Sequence, residues 1–160
     1  LTDTPEVESK YPDAACYRIC SYVVLKNKAT GKVFAHFNAH FDHMNEGAQA
    51  FGGELVSKRA KELVSSYGDI PVVITGDFNQ YSDAPGCVAL EKNGFFNANK
   101  TVENGDNMLT YNDWTKDTVG RPIDYIFTND GFTVNSYEVV TDTGSKTNVS
   151  DHYMIQAVLK

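Results

Sequence analysis

The residues best suited to chemistry in this 160-residue chain are histidines and acidic residues that stand where apolar segments end. The run Asn38-Ala39-His40-Phe41-Asp42-His43 closes one such segment, and Gly76-Asp77-Phe78-Asn79 closes another. Asp124 lies inside the apolar run 123–127, and Ser150-Asp151-His152 precedes the last apolar segment. A carboxylate beside apolar residues loses hydration, which is tolerable only where a partner, a metal ion or hydrogen bonds compensate. Four such places in one chain predict convergence on a single site.

Each motif also has a purely structural interpretation. Asp77 and Asn79 could form a turn through their own backbone, and Ser150-Asp151-His152 could be an ordinary loop. Asp124 could occupy an outward-facing strand position. We interpret His36 and His43 as structural or surface histidines.

Strands and two helices must position these residues. Residues 18–25 and 32–38 are β-branched and aromatic, and the turn residues 27–31 between them indicate an antiparallel hairpin. Apolar positions recur at helical spacing over 55–67, with Gly68 as the C-cap, and Gly52-Gly53 leaves the start of that helix open. A buried strand is predicted at 71–76, a short helix capped by Ser82 or Asp83 running to 93–94, and further strands at 123–128, 132–141 and 153–159. The pattern predicts layered α and β structure.

The composition excludes several classes of protein. The chain contains 14 Lys+Arg and 21 Asp+Glu, a net charge of −7, and 41% hydrophobic residues. This is typical of one globular domain, which we divide into an irregular arm at 1–17 and a core at 18–160. No window is apolar for long enough to span a membrane, and no Lys/Arg stripe indicates blanket phosphate neutralisation. Cys16, Cys20 and Cys87 have no zinc or disulfide spacing and are expected to be small buried hydrophobes.

The four motifs, in their order along the chain, resemble the endonuclease/exonuclease/phosphatase superfamily with its deoxyribonuclease I-like fold. The segment 109–114 resembles the loop before the Ile-Asp-Tyr strand of bacterial members, and the arm residues 4–18 resemble theirs as well. The resemblance implies a layered α-β-β-α sandwich. It also implies hydrolysis of phosphodiesters or phosphomonoesters with Mg²⁺, or with Mn²⁺ or Ca²⁺, which suits a site rich in carboxylate and amide oxygens.

The resemblance also implies roles for individual residues. His152 would be the general base or phosphate-facing histidine, oriented by Asp124. Asp77 would align or deprotonate the attacking water, Asn79 would bind a phosphate oxygen, and His40 would stabilise the phosphate or assist the leaving group.

Two further groups of residues complete the expected site. The metal ligands would be Asp151, Asp77 and Asn79, with the cation acting as Lewis acid and template. Arg18 matches a phosphate-directed arginine of some relatives. Asp42 and Trp114 are predicted to line the substrate pocket, although burial of Trp114 in the core is the alternative.

The chain departs from the family pattern in one respect, because the Asn and the metal-binding Glu expected before the His40 motif are missing. We therefore expect an incomplete, C-terminal part of the sandwich, cut from a longer protein, and the start at Leu1 rather than Met agrees with this. An exposed sheet face predicts either a homodimer or association with a missing N-terminal half. Without the Glu we expect weaker cation binding and little turnover by these 160 residues alone.

The leading functional interpretation is a metal-dependent phosphoesterase of phosphate esters. The alternative is a catalytically silent module of the same fold that holds a phosphorylated ligand. The acidic charge favours a small phosphate ester over nucleic acid as substrate, although a nuclease remains an alternative. We expect a soluble protein and favour a secreted or cell-envelope location in a bacterium, while the sequons at 99–101 and 148–150 would matter only in a eukaryotic secretory route.

Overall fold

The computed structural model describes residues 1–4, 6–142, 144 and 147–160. These residues form seven strands and two α-helices in the order β1 (Cys20–Lys26), β2 (Val33–His40), α1 (Glu46–Tyr67), β3 (Val72–Asp77), α2 (Pro85–Lys92), β4 (Phe96–Asn97), β5 (Asp124–Thr128), β6 (Val134–Val140) and β7 (Met154–Leu159). Short 3₁₀ helices follow β4 at Ala98–Thr101 and Gly105–Asn107. None of the described helices is long and apolar enough to cross a membrane.

The larger sheet has the strand order β1-β2-β3-β5-β4, and β6 and β7 pair with each other in a second sheet. The predicted hairpin is confirmed: β1 and β2 are antiparallel, and the Asn27 side chain accepts hydrogen bonds from the turn amides of Ala29 and Thr30. Gly31 completes this turn at a φ of 74°, which glycine adopts without steric cost. Strands β2 and β3 are parallel, whereas β3 and β5 are antiparallel.

Side chains alternate between the two faces of the central strands, and the apolar ones form two separate layers. Ile74 of β3 faces the helices and packs in one core with Val56 of α1 and Leu90 of α2. Val73, its neighbour, faces the opposite way and belongs to a second cluster with Ile126 and Ile155, where the β6-β7 sheet covers the larger one. This confirms the α/β class, and the described residues form three of the four predicted layers: helices, large sheet and small sheet.

Helix α1 is longer than its sequence pattern indicates, beginning at Glu46 instead of Leu55. The Asn45 side chain caps it by accepting from the Ala48 amide at 2.8 Å. The prediction failed because two glycines weaken the helix pattern, yet packing requires the glycine at position 53. A Cβ on Gly53 would lie 2.3 Å from the backbone oxygen of Gly86, and one on Gly52 would already touch the Phe41 ring at 3.4 Å.

Smaller differences have equally local causes. Helix α2 begins at Pro85 after Ala84, with no side-chain cap, because the predicted cap Asp83 accepts a hydrogen bond from Arg121 at 2.8 Å. Strand β6 is shorter than predicted, and β4 with its 3₁₀ helices was not predicted, since two-residue strands have no periodicity.

The cysteines require one correction, and both sequon asparagines lie in packed or hydrogen-bonded positions. Cys87 is buried and Cys20 half-buried, but Cys16 is exposed, so the expectation of three buried thiols is wrong for Cys16; all three are free. Asn99 is fully buried, and the Asn148 amide donates to Asn112, so neither sequon asparagine presents a free side chain.

Candidate active site

Strand register brings three of the predicted side chains to one edge of the large sheet. The parallel pairing of β2 and β3 places His40 opposite Asp77, and the antiparallel pairing of β3 and β5 places Asp77 opposite Asp124. Side chains alternate along a strand, so His40, Asp77 and Asp124, each two residues from Asn38, Thr75 and Ile126 respectively, lie on the face turned away from the helices. The strand ends therefore create a carboxylate and imidazole cluster beside the small sheet.

His152 reaches the same place from a distant part of the chain. It forms an isolated antiparallel bridge with Tyr111, and the neighbouring Tyr153 amide donates to the Thr110 carbonyl at 2.7 Å. These contacts bring His152 Nδ1 to 2.8 Å from Asp124 Oδ2. The predicted pairing of Asp124 with His152 is thus present in the fold.

Asp77 lies between two imidazoles. Its Oδ2 is 3.3 Å from His40 Nε2 and 3.9 Å from His152 Nε2. Ligand atoms of Asp77, Asp124 and His152 all lie within 4.8 Å of one another, as is required of groups that share a cation. Because carboxylate oxygens predominate in this set, it fits a hard divalent cation such as Mg²⁺.

The electrostatics of the Asp124–His152 pair depend on burial and on the hydrogen bond. Burial alone would lower the pKa of His152, but the hydrogen bond and the charge of Asp124, with smaller contributions from Asp77 and Asp151, raise it above its ordinary value. Burial also raises the pKa of Asp124, against the hydrogen bonds from Thr110 and His152 that lower it. A raised pKa favours the neutral form of Asp124, whereas the raised pKa of His152 requires an ionised Asp124, so the two directions oppose each other within the pair. The 2.8 Å contact favours an ionised Asp124 beside a histidine of increased basicity.

His40 has the opposite shift. Burial lowers its pKa, and the nearby Arg18 and His152 add to that effect, whereas Asp77 partly reverses it. His40 is therefore biased towards the neutral form, which can donate one hydrogen bond without carrying charge.

Asn79 is held in place by contacts with the ends of β2 and β3. Its amide donates to Asp77 Oδ1 at 2.8 Å, and its side-chain Nδ2 donates to the Phe41 carbonyl at 3.0 Å. The residue has a φ of 51°, a left-handed conformation that asparagine tolerates better than most residues. The turn interpretation of Asp77-Phe78-Asn79 is therefore confirmed, and the same turn places Asn79 next to Asp77.

Asp151 and Asp42 occupy different surroundings. Asp151 is not a member of the three-residue cluster; its carboxylate lies 3.4 Å from the Ser150 hydroxyl, and its backbone carbonyl accepts from the Asn112 amide. The Asp42 side chain is only 2% exposed and accepts from the amides of Cys16, Met44 and Asn45. These hydrogen bonds lower the pKa of Asp42 despite its burial, and they anchor the arm and the start of α1.

Arg18 lies between the arm and β1. Its Nη2 is 3.1 Å from His43 Nδ1, and its buried Nε has no hydrogen-bond partner among the described residues. Arg18 is close enough to His40 to lower that histidine's pKa.

Trp114 is 63% exposed, which excludes the alternative that it belongs to the core. It follows Asp113 in a loop where both residues have positive φ, at 49° and 63°. The buried side chain of Asn112 supports this loop by donating to Ser150 O and accepting from the Trp114 amide. Tyr111 of the same loop lies against the His152 ring, with ring centroids 5.1 Å apart.

The cluster faces an open cleft of about 510 Å³. Its walls are the ends of β2, β3 and β5 on one side and residues 153–155 on the other. This volume is within the range of small-molecule sites.

Several supporting residues escaped the sequence analysis. The Thr110 hydroxyl accepts from the amides of Ile123 and Asp124, and the buried Gln49 amide donates to the carbonyls of Asp42 and Asn79. The only sequence feature that could have indicated a role for Gln49 is its position as a polar residue among the apolar residues of α1. Thr110 lies in the segment 109–114 that was recognised as family-like, but its contacts span 13 and 14 residues and have no sequence pattern.

Comparisons with known proteins agree with this architecture. Residues 21–152 match the Endonuclease/Exonuclease/phosphatase family. A comparison with curated proteins found no significant match. Solved structures are similar: a mannosyl-6-phosphatase of Bacteroides thetaiotaomicron, at 30% identity and a TM-score of 0.90, is covered over 63% of its length by 99% of this chain.

Two other structures extend the comparison. An endonuclease/exonuclease/phosphatase protein from Bacteroides vulgatus is 32% identical with a TM-score of 0.78, over 92% of this chain and 57% of that one. The catalytic domain of human Nocturnin, at 18% identity and a TM-score of 0.67 over 91% of this chain and 56% of that one, shares the fold. The chain thus spans less than two thirds of the length of these proteins. On the family match and the shared fold, this chain belongs to the endonuclease/exonuclease/phosphatase family.

Proposed function

We propose that the chain is part of a divalent-metal-dependent hydrolase that cleaves phosphate esters by in-line attack of an activated water. Family membership supports a phosphoesterase-type hydrolase. The observation that carries the proposal is the 2.8 Å contact of His152 Nδ1 with Asp124 Oδ2, because it leaves His152 Nε2 on the side of Asp77, 3.9 Å from Asp77 Oδ2.

The proton path follows from the tautomer that this contact selects. With Nδ1–H donating to Asp124, Nε2 carries a lone pair and accepts a proton from water. Asp77, which faces the same nitrogen, orients that water. His40 Nε2 faces the same Oδ2 of Asp77, and in its neutral form His40 donates to a phosphate oxygen or to the leaving group.

Asp77, Asn79 and Asp151 are the residues to which we assign the cation, with Mg²⁺ favoured over Mn²⁺ and Ca²⁺. Asp77 belongs to the three-residue cluster, and the Asn79 amide is bonded to it. Asp151 lies next to His152 and contributes to the raised pKa of that residue. When bound, the cation supplies Lewis acidity and neutralises charge on the phosphoryl oxygens.

Substrate contacts are assigned to Arg18 and Trp114. Arg18 adds positive charge next to His40, and the exposed indole of Trp114 offers a stacking surface at the loop that contacts His152. The burial and backbone contacts of Asp42 favour a positioning role for it over direct contact with substrate.

We favour a small phosphate ester over nucleic acid as the substrate. The net charge of −7 disfavours broad contact with a polyanion, and one similar structure, at 30% identity, is described as a mannosyl-6-phosphatase. A sugar phosphate is the first compound to test. Zebrafish TDP2 with a DNA product, at 14% identity, shares the fold alone.

The test is a panel of phosphomonoesters and phosphodiesters with Mg²⁺, Mn²⁺ or Ca²⁺, applied to the 160-residue chain and to the longer natural protein. His152→Ala is the diagnostic variant, and His36→Ala, a histidine bonded to Thr75 instead of the cluster, is its matched control. We expect metal-dependent turnover by the longer protein that falls by about 10³-fold in His152→Ala and not in His36→Ala. A flat panel with retained binding of phosphorylated ligands would support the silent binding module.

A further inference from the structure

His43 is the histidine that the sequence analysis assigned to the surface, and the structure gives it a specific partner. Arg18 Nη2 lies 3.1 Å from His43 Nδ1, although the two residues are 25 positions apart. His43 itself is exposed. An exposed imidazole that a distant arginine holds in place has a defined orientation, which a histidine on a free surface lacks.

The contact determines the proton on His43. A guanidinium has only donors, so His43 Nδ1 must accept and the ring must be neutral with its hydrogen on Nε2. Among the residues that the structure describes, none accepts a hydrogen bond from His43 Nε2, so this N–H is a donor next to the guanidinium. Since Arg18 is always charged, the pair presents several N–H groups and one net positive charge.

Arg18 also connects this pair to the candidate active site. Its charge lowers the pKa of His40, whose Nε2 is 3.3 Å from Asp77 Oδ2. The carbonyl of Ile19, the neighbour of Arg18, accepts a hydrogen bond from the His40 amide at 3.3 Å, so Arg18 and its partner His43 lie next to the cluster on the side of His40. Donors that extend from the cluster in this way match a substrate with phosphoryl oxygens next to the reacting centre.

We propose that His43 is a substrate-binding residue that, with Arg18 and His40, forms a binding site for phosphoryl oxyanions. This deepens the proposed function, because it names which side chains hold the anionic part of the phosphate ester. The oxyanion can come from the scissile phosphate or from a second phosphate of the substrate. Inorganic phosphate and a sugar bisphosphate separate these sources, since a second phosphate gives the bisphosphate the higher affinity.

The experiment follows phosphate binding without turnover. The ¹⁵N-labelled chain is titrated with inorganic phosphate, with EDTA present, and the imidazole signals of its four histidines are recorded. We expect His43 and His40 to shift together while His36, bonded to Thr75 on the sheet face, does not. Unchanged His43 signals at saturating phosphate, or equal shifts of His36, would overturn the proposal.

Variants distinguish binding from support of the fold. We expect His43→Ala to weaken phosphate binding about tenfold, and His43→Gln, which keeps an acceptor for Arg18 and an N–H donor, to restore most of it. His36→Gln serves as the control, and thermal unfolding checks that each variant is folded. Wild-type affinity in His43→Ala would refute the proposal. Phosphate binding through His43, combined with no turnover by the longer protein in the panel with metal ions, would contradict the proposed hydrolase and leave this site intact.

Discussion

His152 Nδ1 and Asp124 Oδ2 lie 2.8 Å apart, although 28 residues separate them in the chain. Asp124 is placed by its register with Asp77, and His152 by its bridge to Tyr111. The donor and the acceptor are thus positioned by two separate backbone pairings, so the geometry of the hydrogen bond does not depend on the side chains alone. The first two predictions follow from this contact.

Replacing Asp124 by Asn keeps the size of the side chain but removes its charge. We expect the pKa of His152 to fall, because the attraction that raises it is lost, and the free energy of unfolding to fall by about 1.5 kcal/mol. NMR titration of the His152 ring in EDTA and urea unfolding measure the two effects. Asp130→Asn, at an exposed position, is the control. A His152 pKa that is unchanged in Asp124→Asn would show that the pair is not coupled.

The stability of the protein should depend on pH in opposite ways through two histidines. The raised pKa of His152 stabilises the folded state below the ordinary value of 6.5, and this contribution is lost as the pH rises through the folded-state pKa. Burial lowers the pKa of His36, so acidification through 6.5 destabilises the folded state at that residue.

We therefore expect His152→Gln to cost more stability at about pH 5.5 than at about pH 8.5, and His36→Gln to show the reverse trend. Urea unfolding at both values in EDTA measures this. The assignment of shifts is wrong if both variants respond to pH in the same direction.

Adjacent glycines in α1 should respond very differently to alanine. A Cβ on Gly53 would lie 2.3 Å from the Gly86 carbonyl oxygen, so Gly53→Ala must separate α1 from α2 and should cost about 2–3 kcal/mol. Gly52→Ala gains helix propensity and meets only the Phe41 ring at van der Waals distance, so its stability should stay within about 1 kcal/mol of wild type. Thermal unfolding of both variants provides the comparison. Equal losses would contradict the close helix contact.

The three thiols should differ in reactivity. Cys16 is exposed, whereas burial raises the pKa of Cys20 to about 12 and that of Cys87 further still. Since the thiolate is the nucleophile, we expect iodoacetamide to label Cys16 at least about a hundredfold faster than Cys87. Peptide mass spectrometry measures the rates, and labelling in denaturant, where all three should react alike, is the control. Comparable rates in the folded protein would be inconsistent with this burial.

The open face of the large sheet should drive association. Val23 and Leu25 project from the edge strand β1 with 49% and 43% of their surface exposed. Apolar side chains on an edge strand favour pairing with a second surface. We expect sedimentation to show concentration-dependent dimers, and Val23→Lys with Leu25→Lys to abolish them. Lysines at Ala29 and Thr30, in the exposed turn, add the same charge as a control, and a monomer at all concentrations would contradict the prediction.

The sequence predicted much of the secondary structure because its strands are short runs of β-branched and aromatic residues bounded by turn residues. The hairpin of β1 and β2, the buried β3 and the strand around Asp124 all lie within a few residues of their predicted positions. The start of α1 was missed because local propensity counts glycine against a helix, whereas contact with α2 requires it. Cys16 was misplaced because residue type sets only an average burial.

For the candidate site, the sequence by itself determined which residues are candidates for the chemistry and that they stand at strand ends, since apolar runs interrupted by Asp, Asn and His can be read from the sequence. Only the tertiary structure decided which of them meet. Register placed His40, Asp77 and Asp124 side by side, and a contact across 28 residues joined His152 to them. Such pairings depend on how separate segments pack against each other, and this packing produces no periodic pattern in the sequence.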